Sequence, residues 1–177
     1  MGSRLIALGA SVVLSGASGE REIPVEALYK NDGIDYLSRS PDEILSQIRI
    51  PEKNLKSTYW KLRRRGAFDF PILGVAVALE FSSDNSIKNA RVALGAAASR
   101  PFLIEKAGDY LRGKKLTDEV IAEASKQIAN RAKPLDNTDM DLYWRKEVAD
   151  DFAGYALREL RGDDMREVRL RVSRYLP

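Results

Sequence analysis

The chain has 177 residues, contains neither cysteine nor histidine, and carries 29 basic and 26 acidic residues for a net charge of +3. These missing residue types exclude a disulfide scaffold, a zinc site of the usual kind, an iron–sulfur cluster, a thiol nucleophile and a histidine general base within the chain. A hydrophobic fraction of 44%, with no apolar run near the roughly 20 residues of a membrane span, is typical of a soluble globular domain, and we expect a cytoplasmic protein.

The N-terminal segment is predicted to contain a helix end, a hairpin and a short helix. Leu5 to Ala7 are typical of a helix that is closed by Gly9. Two strands, at residues 10–14 and 20–23, are predicted around the turn at 15–19. Pro24 favours a short helix over 24–30 with proline at its first position. Because the sequence starts in the middle of an element, we expect a fragment of a longer protein.

A further strand is predicted over residues 43–50, where the side chains alternate with period two. The alternation places Ile44, Ile48 and Ile50 on one face. Pro51 ends the strand, and the polar stretch 51–56 that follows is typical of a linker. We therefore expect a domain boundary there.

The second half of the chain is predicted to form strands first and helices afterwards. Strands are expected at 57–64, 73–82 and 87–96, and the turn residues 83–85 predict that the last two pair antiparallel. Helices are expected over 101–111, from Thr117 onward, and after the capping-box pattern at 138–141. This order, without βαβ alternation, predicts an α+β domain with a three-stranded antiparallel sheet packed with helices.

Tyr59 and Lys61 are the residues best suited to binding chemistry. Two positions apart on one strand, they share a face. A tyrosine ring can lie beside a planar heterocycle, and an ammonium group can hydrogen-bond an electron-rich ring edge such as that of a flavin. A solvated, charged strand with one aromatic residue packed inward explains the same pattern.

Two arginine-rich stretches raise the question of anionic partners. The triplet at 63–65 fits phosphate or nucleic acid by charge neutralisation, and it also fits a solvated strand end or a subunit contact. Residues 158–174 contain six arginines offset by four acidic residues. That mixture is typical of a helix with a charged face that packs on a partner.

Five short motifs follow one another along the chain and carry a family resemblance. They are Glu20-Arg21-Glu22-Ile23-Pro24-Val25-Glu26, then Pro41-Asp42-Glu43-Ile44-Leu45 running to Ile48-Arg49-Ile50-Pro51, then Lys61-Leu62 through Arg64-Arg65-Gly66-Ala67-Phe68-Asp69-Phe70, then Ala90-Arg91-Val92-Ala93-Leu94-Gly95, and finally Leu111-Arg112-Gly113-Lys114. Their order and spacing are similar to those of the FAD-binding subunits of molybdenum hydroxylases, the group of xanthine dehydrogenase, carbon monoxide dehydrogenase and 4-hydroxybenzoyl-CoA reductase. The resemblance covers nearly the whole chain.

The resemblance implies two domains and a set of partners. Residues 1–52 would be the C-terminal remnant of the FAD-binding domain, and residues 56–177 the separate C-terminal domain of the flavoprotein subunit. In this family a large subunit holds a molybdenum cofactor and a small subunit holds two 2Fe–2S clusters. Electrons pass between those clusters and an external acceptor through FAD. The fragment alone is expected to be inactive.

The resemblance also assigns three residues to the flavin. Leu45 matches a residue that touches the flavin, Lys61 matches a lysine near the isoalloxazine ring, and Tyr59 matches an aromatic residue beside that ring. The loop at 62–72 matches one near the exposed flavin edge. The glycine-rich pyrophosphate loops of the family lie upstream of this sequence, so we expect the fragment to bind FAD weakly or not at all.

Two other functions stay open at this point. The segment fits a docking module that carries no flavin chemistry, and its basic character fits a nucleic-acid-binding domain. A departure from the family pattern at residues 33–37, where Gly33-Ile34-Asp35-Tyr36-Leu37 replaces Gly-Tyr-x-x-Thr, weakens any contact inferred there.

Overall fold

A computed structural model describes residues 2–65, 69–136 and 140–173. It contains, in chain order, helix α1, strands β1 to β3, strands β4 to β7, and helices α2 to α5. Their bounds are α1 Gly2–Leu8, β1 Ser11–Gly16, β2 Gly19–Pro24, β3 Ile44–Arg49, β4 Lys56–Leu62, β5 Leu73–Phe81, β6 Ile87–Gly95, β7 Phe102–Leu103, α2 Glu105–Leu111, α3 Asp118–Ala129, α4 Leu142–Arg161 and α5 Arg166–Ser173, with a 3₁₀ turn at Val25–Leu28.

The first sheet has the strand order β2-β1-β3 and is antiparallel. It confirms the predicted hairpin and the predicted strand before the linker. Gly9 closes α1 with a φ of +70°, a left-handed conformation that favours glycine. The helix predicted from Pro24 is a single 3₁₀ turn, and Pro24 itself stays extended in front of it.

A β-bulge in β3 makes the predicted face of this strand wrong. Ile44 pairs with Ser15 of β1, whereas Ile48 pairs with Val12, and the register shifts between these two pairs. Because Ser15 and Val12 are three residues apart on an extended strand, their side chains point to opposite faces of the sheet. The extra residue of the bulge therefore separates Ile44 from Ile48, which period-two counting had placed together.

The second sheet has the strand order β4-β5-β6-β7 and is antiparallel throughout. It contains the three predicted strands, and Asn85 adopts a φ of +62° in the predicted turn. A short fourth strand was not foreseen: Phe102 and Leu103 pair with the end of β6. The helix expected from residue 101 therefore begins only at Glu105. The α+β class is confirmed.

Strand β5 is buried on both faces. Val75, Val77 and Leu79 face a large core shared with helices α2 to α4. The alternating residues Ala76 and Ala78 face a second, smaller core that includes side chains of α1 and β1. Large residues thus meet the helices, and small residues allow the N-terminal segment to approach the sheet. The division of the chain near residues 52–56 stays a prediction, since the second core contains residues from both sides of it.

The helices of the main core begin and end at recognisable caps. The Thr117 side chain accepts a hydrogen bond from the Val120 amide at 3.3 Å, as a helix N-cap does. Helix α4 starts after Asp141, whose carboxylate accepts from the Trp144 amide at 2.9 Å. Thr138 and Asp139 of the predicted capping box lie outside the described residues. None of the described helices is long and apolar enough to cross a membrane.

Arg145 of α4 is buried and ties three loops together. Its guanidinium donates to the carbonyl oxygens of Leu135 at 2.9 Å, Ile72 at 3.1 Å and Ala96 at 2.7 Å. Burial lowers the pKa of the Arg145 guanidinium, because removal from water disfavours the charged form. These bonds hold Ile72, the residue before β5, against the helical layer.

Gly108 provides a test of the contact between α2 and β6. A Cβ atom added there would lie 2.5 Å from the Ala90 carbonyl oxygen, which belongs to the sheet backbone and cannot swing away. We expect Gly108→Ala to lower the free energy of unfolding by about 1–3 kcal/mol, although alanine is the better helix former by ~1 kcal/mol. Urea unfolding measures the change. Gly33→Ala is the control, because no atom of the described residues lies within 4 Å of the added Cβ. Equal or higher stability of Gly108→Ala would contradict the contact.

Candidate functional site

The candidate site lies along β4, the edge strand of the second sheet. Tyr59 and Lys61 are two residues apart on β4, so their side chains share a face as predicted. The intervening Trp60 belongs to the large core below the sheet, whereas Tyr59 packs against the smaller core on the other side. The strand therefore presents Tyr59 and Lys61 toward the side on which α1 lies.

Tyr59 is fixed by its neighbours from α1 and β5. The Arg4 guanidinium lies 4.1 Å from the centre of the Tyr59 ring, at cation–π distance. A Cβ atom on Gly74 would lie 2.6 Å from the Tyr59 hydroxyl, so a glycine at that position makes room for the ring. Burial raises the pKa of Tyr59, although the Arg4 charge and a hydrogen bond with Ser3 partly oppose the rise. The phenol is therefore neutral at physiological pH.

Lys61 is held at the start of the loop that follows β4. Its Nζ donates to the backbone carbonyl oxygen of Asp69. The Asp69 carboxylate accepts two hydrogen bonds from Arg65, one from the backbone amide at 2.9 Å and one from the guanidinium at 3.1 Å. These hydrogen bonds lower the pKa of Asp69 to about 2. An ammonium group has three N–H donors, and among the described residues Lys61 uses one of them, which leaves two for another partner.

Leu45 lies on β3 of the other sheet, with 42% of its surface exposed. It does not line the pocket that holds Tyr59 and Lys61. The structure thus brings two of the three predicted flavin residues together. Of the predicted loop 62–72, residues 66–68 lie outside the described residues.

A cavity of about 210 Å³ opens beside Tyr59 and Lys61. It lies where α1, β4 and α5 meet, and four of its eight described lining residues are basic. The lining includes Arg4, Lys61, Arg63 and Arg169, together with Tyr59 and Trp60. Of these, Arg4 and Arg169 were missed by sequence reasoning, because they come from elements far from β4 in the chain.

Helix α5 forms one wall of this cavity and is anchored by Arg169. The Arg169 guanidinium lies 4.2 Å from the Trp60 ring centre and donates to Glu159 Oε1 at 2.6 Å and to Thr58 Oγ1 at 2.8 Å. The Trp60 indole N–H donates to Glu159 at 3.0 Å. The arginine-rich end was interpreted as a face that packs on a partner, but Arg169 packs on this chain's own edge strand.

The carboxylate of Glu159 accepts the hydrogen bonds that join α5 and β4. Burial alone would raise the pKa of Glu159, but the hydrogen bonds from Arg169, Thr58 and Trp60 and the charge of Arg169 outweigh burial, and the pKa lies below its ordinary value. Glu159 therefore stays ionised at neutral pH and holds α5 against β4. No group of three or more acidic residues able to hold a metal ion occurs in the described part of the chain.

Residues 57–160 match a protein-family model described as the CO dehydrogenase flavoprotein C-terminal domain. The chain is 26% identical over 156 residues to the glyceraldehyde dehydrogenase medium chain of Sulfolobus acidocaldarius, an alignment that covers 88% of this chain and 54% of that protein. It is 31% identical over 121 residues to the nicotine 6-hydroxylase medium subunit of Paenarthrobacter nicotinovorans, covering 68% of this chain and 41% of that subunit.

Solved structures of related proteins share this fold. The chain is similar to reconstituted CO dehydrogenase from Oligotropha carboxidovorans with a TM-score of 0.82 and 25% identity, over 91% of this chain and 56% of that one. Its fold is also that of a chain of quinoline 2-oxidoreductase from Pseudomonas putida 86, with a TM-score of 0.80 and 22% identity over 91% and 55% of the two chains. The chain spans about half the length of the proteins that it matches.

We expect Glu159→Gln to destabilise the chain in a pH-dependent way. At neutral pH the loss of the charge-assisted bonds to Arg169 should lower the free energy of unfolding by about 1–2 kcal/mol. Because the folded-state pKa of Glu159 lies below the ordinary value of 4.5, its contribution is present above pH 4.5 and is lost as pH falls through the folded pKa. The measured difference from wild type should therefore shrink below pH 4.5.

Urea unfolding at a series of pH values measures this difference. Glu147→Gln, at an exposed position of the same helix, is the control and should change stability little. A Glu159→Gln effect that is absent at neutral pH, or that grows as pH falls, would show that the anchor does not work through the carboxylate charge.

Proposed function

Since the chain belongs to the family of CO dehydrogenase flavoprotein C-terminal domains, we propose that it is the C-terminal part of the FAD-binding, electron-transferring subunit of a molybdenum hydroxylase. The family match over residues 57–160 carries this proposal, because it includes β4 with Tyr59 and Lys61. The similarity to medium subunits of a glyceraldehyde dehydrogenase and a nicotine 6-hydroxylase supports it.

The described residues fit the ring end of FAD. Within the described parts of the chain, Lys61 has two N–H donors beyond its bond to Asp69, and Arg63 has a buried Nε without a hydrogen-bond partner. FAD, when bound, would exchange electrons two at a time or singly. Lys61 would donate to the polar ring edge, where the reduced ring carries negative charge. Leu45, which lies on the other sheet and does not line this cavity, stays a proposed apolar contact on the strength of the resemblance alone. Tyr59, already fixed by Arg4, would support that side of the ring.

The partners that we propose are a large subunit with a molybdenum cofactor and a small subunit with 2Fe–2S clusters. In such an assembly the large subunit would select the substrate, and the clusters would deliver electrons to the flavin before they pass to an external acceptor. A cytoplasmic location fits this assignment. The fragment by itself would carry out no turnover.

One observation favours the second candidate, a docking module without flavin chemistry. All six residues of β3 are exposed, and they include Ile44 at 68% and Ile48 at 45% exposure. Large apolar side chains that stay exposed, here on both faces of an edge strand, are typical of a surface that other protein covers. A flavin absorption spectrum decides between the candidates, because a pure docking module leaves the purified full-length subunit colourless.

A nucleic-acid-binding function has no support in the relatives. Two arginines of the triplet that suggested it have other contacts, since Arg65 binds Asp69 and Arg63 lines the cavity beside Lys61. The relatives and solved structures described above are oxidoreductases or their subunits.

In the full-length subunit we expect Lys61→Ala to change the flavin more than the fold. Loss of a charge-assisted hydrogen bond to the reduced ring should lower the two-electron midpoint potential by about 30–60 mV. The melting temperature should change little, because Lys61 is only partly buried and its one hydrogen bond in the described chain goes to the Asp69 carbonyl. Spectroelectrochemistry and thermal unfolding of the same preparation give both values.

Lys56→Ala is the matched control for this experiment. Lys56 begins the same strand and is exposed, but it lies outside the cavity that holds Lys61. Its removal should leave the potential unchanged. If the Lys61→Ala variant has full flavin occupancy and the midpoint potential of the wild type, Lys61 does not interact with the flavin and is only a solvated strand residue.

A further inference from the structure

The cavity between α1, β4 and α5 holds more positive charge than the described residues neutralise. Of its four cations, Arg169 is paired with Glu159. The other three have no ion pair in the described part of the chain. Arg4 lies over the Tyr59 ring, and Lys61 donates to a neutral carbonyl oxygen. Three like charges around one small space repel each other, so an anion placed between them would be strongly favoured.

Arg63 supplies the second observation. Its Nε is buried from solvent and has no hydrogen-bond partner among the residues that the structure describes. A buried donor without a partner loses its hydration without gaining a hydrogen bond in exchange, which is unfavourable. A ligand oxygen would satisfy this donor. A guanidinium group offers a planar fork of N–H donors that matches the oxygens of a phosphate or carboxylate.

The size of the cavity limits what can enter. Its volume of about 210 Å³ is below the roughly 300–1,000 Å³ of sites that take whole drug-sized ligands. Three uncompensated cations match a multiply charged group better than a single carboxylate. We propose that this cavity is a binding site for a phosphate-class anion, either free or as the terminal phosphate of a larger ligand, with Arg4, Lys61 and Arg63 as its ligands.

The site extends beyond the segment that defines the family. Arg4, Arg169, Val172 and Ser173 all line the cavity but lie outside residues 57–160. The anion site shares Lys61 with the proposed flavin contact but stands on Arg4 and Arg63, and it does not require that a flavin ring binds. The anion is titrated in the absence of flavin. A failure to bind the anion therefore contradicts this proposal alone, and a failure to bind flavin contradicts the proposed function alone.

The test is a titration of the 177-residue chain with inorganic pyrophosphate, with sodium chloride holding the ionic strength constant. Binding is followed by the Arg63 Nε–H resonance in NMR spectra and by the melting temperature. We expect a saturable shift of that resonance and an increase in melting temperature. Arg63→Gln and Arg4→Gln should each weaken binding roughly tenfold or more.

Two further variants make the result specific. Arg63→Lys keeps the charge but removes the Nε donor, so it should weaken binding less than Arg63→Gln does while the fold stays intact. Arg131→Gln removes the same charge from an exposed position at the end of α3 and should bind as wild type does. Equal weakening by Arg131→Gln would indicate diffuse charge attraction and overturn the site, as would the absence of saturable binding or wild-type affinity in Arg63→Gln and Arg4→Gln.

Competition separates the possible sources of the phosphate. Displacement of pyrophosphate by ADP or FMN supports a site for a nucleotide's phosphate, whereas displacement by inorganic phosphate alone supports a free anion. Displacement by phosphate-free riboflavin as strong as that by FMN would show that the cavity recognises the ring, and the phosphate assignment would be wrong.

Discussion

The two-sided burial of β5 is the constraint on which the rest of the structure depends. A strand with water on one face can alternate polar and apolar residues, but β5 must be apolar on both. Its two faces nevertheless differ in size, with Val75, Val77 and Leu79 toward the helices and alanines toward the N-terminal segment. The small face lets α1 come close, and that approach brings Arg4 over the Tyr59 ring.

The candidate site also depends on the packing of other elements against the two faces of the second sheet. Strand β4 pairs with β5 on one side only, so its other edge and the cavity beside it are open to residues from elsewhere in the chain. Helix α1 approaches from the alanine face, and α5 approaches from the face that carries Trp60. The cations that line the cavity therefore come from β4 and the residue after it, from α1 and from α5, which meet because α1 and α5 pack against opposite faces of β4.

The sequence predicted the parts of the fold that local pattern controls. Apolar runs predicted strands β4 to β6, and the turn at Asp84-Asn85 predicted that β5 and β6 form a hairpin. It was wrong where a non-local pairing decided the outcome, as in the bulge that separates Ile44 from Ile48. Non-local contacts also explain why only part of the candidate site could be predicted. Tyr59 and Lys61 are neighbours on one strand and could be predicted, whereas Arg4 and Arg169 reach the cavity only through tertiary packing that no spacing in the chain encodes.

The anchor of α5 also has a consequence for the order of events during synthesis. Arg169 donates to Thr58 across a separation of 111 residues, so β4 emerges from the ribosome long before the helix that covers its edge. An open strand edge is a template on which strands of other chains can pair. The outer edge of β4 therefore reaches its folded surroundings only after α5 has been synthesised and Arg169 has paired with Glu159.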